Sequence, residues 1–80
     1  MNWFEFTDGD WKLVHFSGGY CFLAGPDVSF MDACAAYRAK LGNRPSVLAA
    51  YPVPVEFADT YRGEYEAKGL LIDGAQENEL

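Results

Sequence analysis

Eighty residues leave room for one domain, and half of them are apolar, thirteen being Trp, Tyr or Phe; that composition supplies a core and argues against disorder before residue 73. Twelve Asp and Glu against six Lys and Arg give a net charge of −6, which disfavours direct binding to nucleic-acid phosphates. No run approaches the ~18 apolar residues of a membrane span, and the N-terminus lacks the basic and apolar regions of a signal peptide. The expected compartment is therefore the cytoplasm, with Cys21 and Cys34 as reduced thiols.

The charge is unevenly placed. Residues 1–32 carry five acids and one base, Lys12. Residues 33–55 carry no acid and three bases, Arg38, Lys40 and Arg44. Residues 56–80 carry seven acids against Arg62 and Lys68.

The first third reads as a three-stranded antiparallel meander. Residues 2–7, Asn-Trp-Phe-Glu-Phe-Thr, are strand-prone and run into Asp8-Gly9, a strong hairpin signal. A turn there sets Phe6 opposite Trp11, Glu5 opposite Lys12 and Phe4 opposite Leu13, pairing aromatic with aromatic and acid with base. A second two-residue turn at Gly18-Gly19 sets Phe16 against Cys21, His15 against Phe22 and Val14 against Leu23.

Gly25-Pro26 breaks the meander, and Ser29 with Asp32 three residues on resembles a capping box. Phe30, Cys34, Tyr37 and Leu41 recur at helical spacing and mark a buried stripe; Arg38 and Lys40 fall in the last turn, where the helix dipole favours cations. Gly42 or Asn43 closes the helix. The run from Ser46 to Tyr51 suits a central strand, parallel to the third through a right-handed crossover. Pro52 and Pro54 end it. Phe57, Tyr61 and Tyr65 then predict a second helix over about residues 55–68, its other face bearing Glu56, Asp59, Glu64 and Glu66. Gly69 stops it, 70–72 reads as a short strand, and 74–80 as an acidic frayed tail after a single domain spanning 1–73. The expected fold is a small α+β domain of order βββαβαβ.

In that register Phe4, Phe6, Trp11, Leu13, Phe22 and Ala24 share one sheet face, and Trp3, Val14, Phe16, Cys21 and Leu23 the other. Two short helices on one side would leave the second face as an exposed apolar patch of a kind that marks interfaces. A helix on each side, or strong curvature, would bury both sets.

Reactive machinery is sparse. His15 with either cysteine makes a thiol–base pair in principle, but no orienting acid or oxyanion motif accompanies it. One histidine and two cysteines with twelve residues between them do not furnish the four ligands of a zinc site. Asp8-Gly9-Asp10 lacks the rest of a calcium loop, and Gly18-Gly19 precedes a strand rather than a phosphate-binding helix. We therefore expect no enzyme, no cofactor and no metal.

The acids suit a different task. Fixed carboxylates beside Trp or Tyr anchors can occupy a basic groove on a protein that holds DNA or RNA, with salt-sensitive affinity; a solvated surface that keeps the chain soluble is the plainer reading. In overall character (small, acidic, aromatic-rich, α+β, without catalytic motifs) the chain resembles the phage-encoded inhibitors known as anti-CRISPR proteins. No shared motif carries the likeness, so no residue role transfers from that family. The resemblance implies blockade of a nucleic-acid-binding complex, most sharply a type I CRISPR effector (Cascade), by electrostatic mimicry and steric occlusion in the host-cell cytoplasm. On charge alone, the expected partner-binding residues are Asp8, Asp10, Glu56, Asp59, Glu64 and Glu66, with Tyr61 and Trp3 as anchors. The basic group at Arg38, Lys40 and Arg44 departs from a uniformly acidic mimic. The alternative is a structural or adaptor module that self-associates, as a homodimer, through the Trp3, Phe16 and Leu23 face. Neither reading involves a membrane or direct contact with nucleic acid.

Overall fold

A computed structural model describes residues 3–7, 9–42 and 46–72. Asp8, Arg44 and the 74–80 tail lie outside them. Within them the fold is α+β: two helices and a four-stranded mixed sheet, order β3-β1-β2-β4. The strands are β1 (Trp11–Phe16), β2 (Tyr20–Ala24), β3 (Val47–Val53) and β4 (Leu71–Ile72); the helices are α1 (Phe30–Leu41) and α2 (Val55–Lys68).

The hairpin β1–β2 forms as expected, but one residue out of the expected register. Phe16 pairs with Tyr20, His15 with Cys21 and Val14 with Phe22, around a three-residue loop, Ser17-Gly18-Gly19. Ser17 is drawn into the loop because its backbone is engaged elsewhere: its N–H donates to the Ser46 carbonyl (2.8 Å) and its carbonyl accepts from the Tyr37 hydroxyl (3.2 Å). Both loop glycines take φ of +87°, which their lack of a Cβ permits. A one-residue slip reverses which residues share a face. Val14, Phe16, Phe22 and Ala24 thus form one inner face, and Leu23 joins Trp11 and Leu13 on the other.

The expected N-terminal strand is absent from the described residues; Trp3–Glu5 is a single 3-10 turn. Two causes are visible. The free edge of β1 is taken by β3, which pairs with it antiparallel, Trp11 against Val53 and Leu13 against Tyr51. The N-terminal segment is also held locally, the Asp10 carboxylate accepting from the Thr7 N–H (2.6 Å) and the Trp3 indole donating to the Val28 carbonyl (3.2 Å).

β3 is an edge strand rather than a central one, and it continues through Pro52 to Val53. At an edge the missing proline N–H deprives no neighbour of a hydrogen bond. It runs in the same direction as β2, as expected of a crossover, but with β1 between them. β4 pairs parallel with the far side of β2. The chain therefore crosses the sheet one way through α1 and back the other way through α2. Two right-handed crossovers of opposite sense place their helices on opposite faces. Ala33 and Tyr37 of α1 pack on Val14, Phe16, Phe22 and Ala24; Ala58 of α2 packs on Leu23 and Val53. Each face carries a helix, so among the described residues neither face is left open.

α1 begins at the capping box expected of Ser29 and Asp32 and ends at Gly42 in the left-handed region. Its stripe differs in part: Tyr37 is buried, but Ala33 takes the inner position and Phe30 is exposed. In α2, similarly, Ala58 rather than Phe57 faces the sheet, beside half-buried Tyr61 and Tyr65.

Candidate acidic interface

α2 follows Pro54 without a side-chain cap and stops at Gly69, whose φ of +77° lets its N–H close the last turn. Because Ala58, Tyr61 and Tyr65 turn inward at helical spacing, Glu56, Asp59, Glu64 and Glu66 are all exposed. Arg62 reaches Asp59 (3.5 Å), an exposed pair of the kind that contributes little to stability. From Glu56 to Glu66 the helix rises about 15 Å. One strand of B-form DNA carries about four phosphates over that length, and α2 carries four carboxylates.

The nominated residues fall into two groups. Tyr61 shares α2 with the four acids, half-buried and in edge contact with Tyr65 (6.4 Å between ring centres). Trp3 and Asp10 lie apart, in the N-terminal segment packed on the α1 side. Trp3 is half-buried, with its indole N–H on Val28 and its ring against Phe6 and Phe30, both at 5.7 Å. Asp10 is half-buried in the turn with Thr7. Asp8 lies outside the described residues. Arg38 and Lys40 are exposed at the end of α1, on the layer opposite α2.

Lys12 gave no sign of its position in the sequence. It points into the α1 side at 4 % exposure. Its ammonium donates to the Asp10 and Gly25 carbonyls (3.3 and 3.4 Å) and lies 5.5 Å from the ring centres of both Trp3 and Phe6. Burial pushes its pKa below the ordinary value, against the opposing pull of Asp10 and Asp27. It lines an open cleft of about 310 Å³ together with Trp3, Phe6, Asp27 and Ser29. The ammonium's contacts with backbone carbonyls and rings tie the N-terminal segment to the sheet.

The pairing of His15 with a cysteine, open in the sequence, is settled by the register, which sets Cys21 across from His15. The Cys21 Sγ lies 3.9 Å from Nε2 and 3.5 Å from the Tyr65 hydroxyl. No local signal would have found this pairing, since the Ser17-Gly18-Gly19 segment accommodates either register and contacts of Ser17 with Ser46 and Tyr37 decide between them. Among the described residues no cluster of three or more His, Cys, Asp or Glu is placed to hold a metal ion, and no helix is long and apolar enough to cross a membrane. Neither a family model, a curated protein nor a solved structure matches the chain.

Proposed function

We propose that this protein is a non-enzymatic inhibitor that seats the outer surface of α2 in the basic groove of a nucleic-acid-binding complex. The observation that carries the reading is the division of labour within α2. Its inner side is anchored on the sheet by Ala58, Tyr61 and Tyr65, while Glu56, Asp59, Glu64 and Glu66 stand exposed, four carboxylates over a rise of about 15 Å. The helix that carries the carboxylates is already packed, so binding a partner orders side chains but not backbone. Complementary charge would steer the encounter and make it salt-dependent. In its sharpest form the proposal names a type I CRISPR effector as the target and occlusion of its DNA path as the effect, which would make the chain an anti-CRISPR protein.

The test is capture from a bacterial lysate at low and high salt, with the recovered proteins identified by mass spectrometry. The proposal expects a nucleic-acid-binding complex that is lost at high salt and displaced by its own DNA. Recovery of a partner that DNA does not displace would refute it.

One observation favours a second reading, a self-associating module. β3 is a seven-residue edge strand without a charged side chain, with Leu48 at 64 % and Tyr51 at 55 % exposure. Such an edge can pair with its copy in a second chain to extend the sheet. The surface first expected for this role is not available, because Phe16 and Leu23 are buried on opposite faces. A dimer stable to high salt and abolished by Tyr51→Lys would establish this reading; a monomer at all concentrations would remove it.

A further inference from the structure

The cluster at Cys21 brings a nucleophile, a base and a hydrogen-bond donor within contact from three elements. Cys21 sits on β2, His15 directly across from it on β1, and Tyr65 above on α2. Both Cys21 and His15 are half-buried rather than sealed in the core. The imidazole is held edge-on against Tyr51 at 5.6 Å, which limits how the ring can turn away from the sulfur. We propose that Cys21 is a thiol-modification site, with His15 as its base, and that it reacts with low-molecular-weight disulfides of the glutathione type.

The exchange balances within these groups and the reagent. The Cys21 S–H proton passes to the Nε2 of His15, and the thiolate attacks one sulfur of the disulfide. The reagent's S–S bond breaks as the new S–S bond to Cys21 forms, and the departing thiolate takes the proton from His15. Cys21 is oxidised, and one half of the reagent leaves reduced as a thiol. The Tyr65 hydroxyl, 3.5 Å from Sγ, is positioned to donate to the sulfur while it is anionic. Its phenol pKa is pushed up to about 12, first by burial, so it remains a donor throughout the neutral range.

Cys34 provides an internal control. It is also half-buried, on α1, but burial raises its thiol pKa and Arg38 only partly opposes this. A thiol in that setting is less often a thiolate and reacts more slowly.

The experiment exposes the intact protein to oxidised glutathione at neutral pH and follows each cysteine by peptide mass mapping. In the wild type Cys21 is expected to react at least about fivefold faster than Cys34, a modest fraction of what base assistance contributes in a fully formed site. In urea the two rates are expected to converge. His15→Asn should slow Cys21 and leave Cys34 unchanged, with circular dichroism reporting that the fold is retained. Equal rates in the folded wild type, or faster reaction at Cys34, would overturn the proposal without any variant. So would an undiminished Cys21 rate in folded His15→Asn.

Discussion

Leu23 is where the two-sided fold can be tested most sharply. Its side chain is fully buried and lies beneath α2 with Val53 and Ala58, the buried residues of that face among those described, with half-buried Tyr61 and Tyr65 packed around them. Were the α2 face open, Leu23→Ala would remove an exposed methyl group or two and cost at most about 0.5 kcal/mol. Beneath a covering helix the same change removes transfer energy and leaves a cavity, together about 2–5 kcal/mol. An 80-residue domain has roughly 4–12 kcal/mol in total, so the loss is a large fraction of the whole. Even the low end lowers the melting temperature by roughly 8–16 °C. Urea unfolding followed by circular dichroism measures the free energy, and amide exchange over residues 55–68 locates it. The urea midpoint should fall with little change in slope, and α2 amides should lose protection more than those of α1. Leu48→Ala, at a site 64 % exposed, serves as the control and should change stability by less than about 0.5 kcal/mol. A loss below about 1 kcal/mol at Leu23 would show that α2 does not seal this face, and the support for its acidic surface would go with it.

Ser29→Ala removes the side-chain oxygen that accepts from the Asp32 N–H at 3.1 Å. It should cost about 1 kcal/mol, read as a fall in melting temperature of roughly 4–8 °C; an unchanged value would mean that the capping box does not fix the start of α1. Two groups with shifted pKa values, buried Lys12 and half-buried Tyr65, set an alkaline pH profile with opposite signs. The Lys12 pKa lies below its ordinary 10.5, so the unfolded chain holds that proton more tightly, and stability rises with pH through the lowered value towards 10.5. Tyr65 titrates near 12 against an ordinary 10, so its contribution is complete below pH 10 and is lost as pH rises towards 12. Urea midpoints measured across this range should show Lys12→Met flattening the rise and Tyr65→Phe reducing the fall. A Tyr65→Phe profile that falls as steeply as the wild type would contradict the burial of that phenol.

The parts of the fold legible in the sequence are those encoded by a few neighbouring residues. Ser29 and Asp32 start α1 because the two side chains satisfy each other's backbone N–H groups, and Gly42 ends it because only a glycine adopts that φ freely. Paired glycines at 18 and 19 located the hairpin but not its register, which is decided by Ser17 engaging Ser46 and Tyr37, far away in sequence. The consequences of that one-residue slip reach the sites: it moved Leu23 under α2 and set Cys21 across from His15. The N-terminal segment has strand-forming residues, yet β3 occupies the edge it would have used, a competition no local signal records. On α2 the acids were legible as an exposed face, whereas the inner stripe was read one residue early at Phe57, because Ala58 is small and carries little hydrophobic signal. Trp3 and Asp10 drew notice as a large aromatic and an acid, and the structure engages both in holding the N-terminal turn.

The central claim, that the outer surface of α2 binds in place of nucleic acid, is tested most directly by charge reversal there. Wild type and the Glu64→Lys, Glu66→Lys double variant would be compared at low salt for capture of the DNA-displaceable complex, with urea unfolding of both in parallel. Both positions are exposed, so stability should differ by less than about 1 kcal/mol for the pair. The account predicts that the wild type captures the complex and prevents it from binding its DNA, while the stably folded double variant does neither. Equal capture and equal inhibition by the two proteins would contradict it.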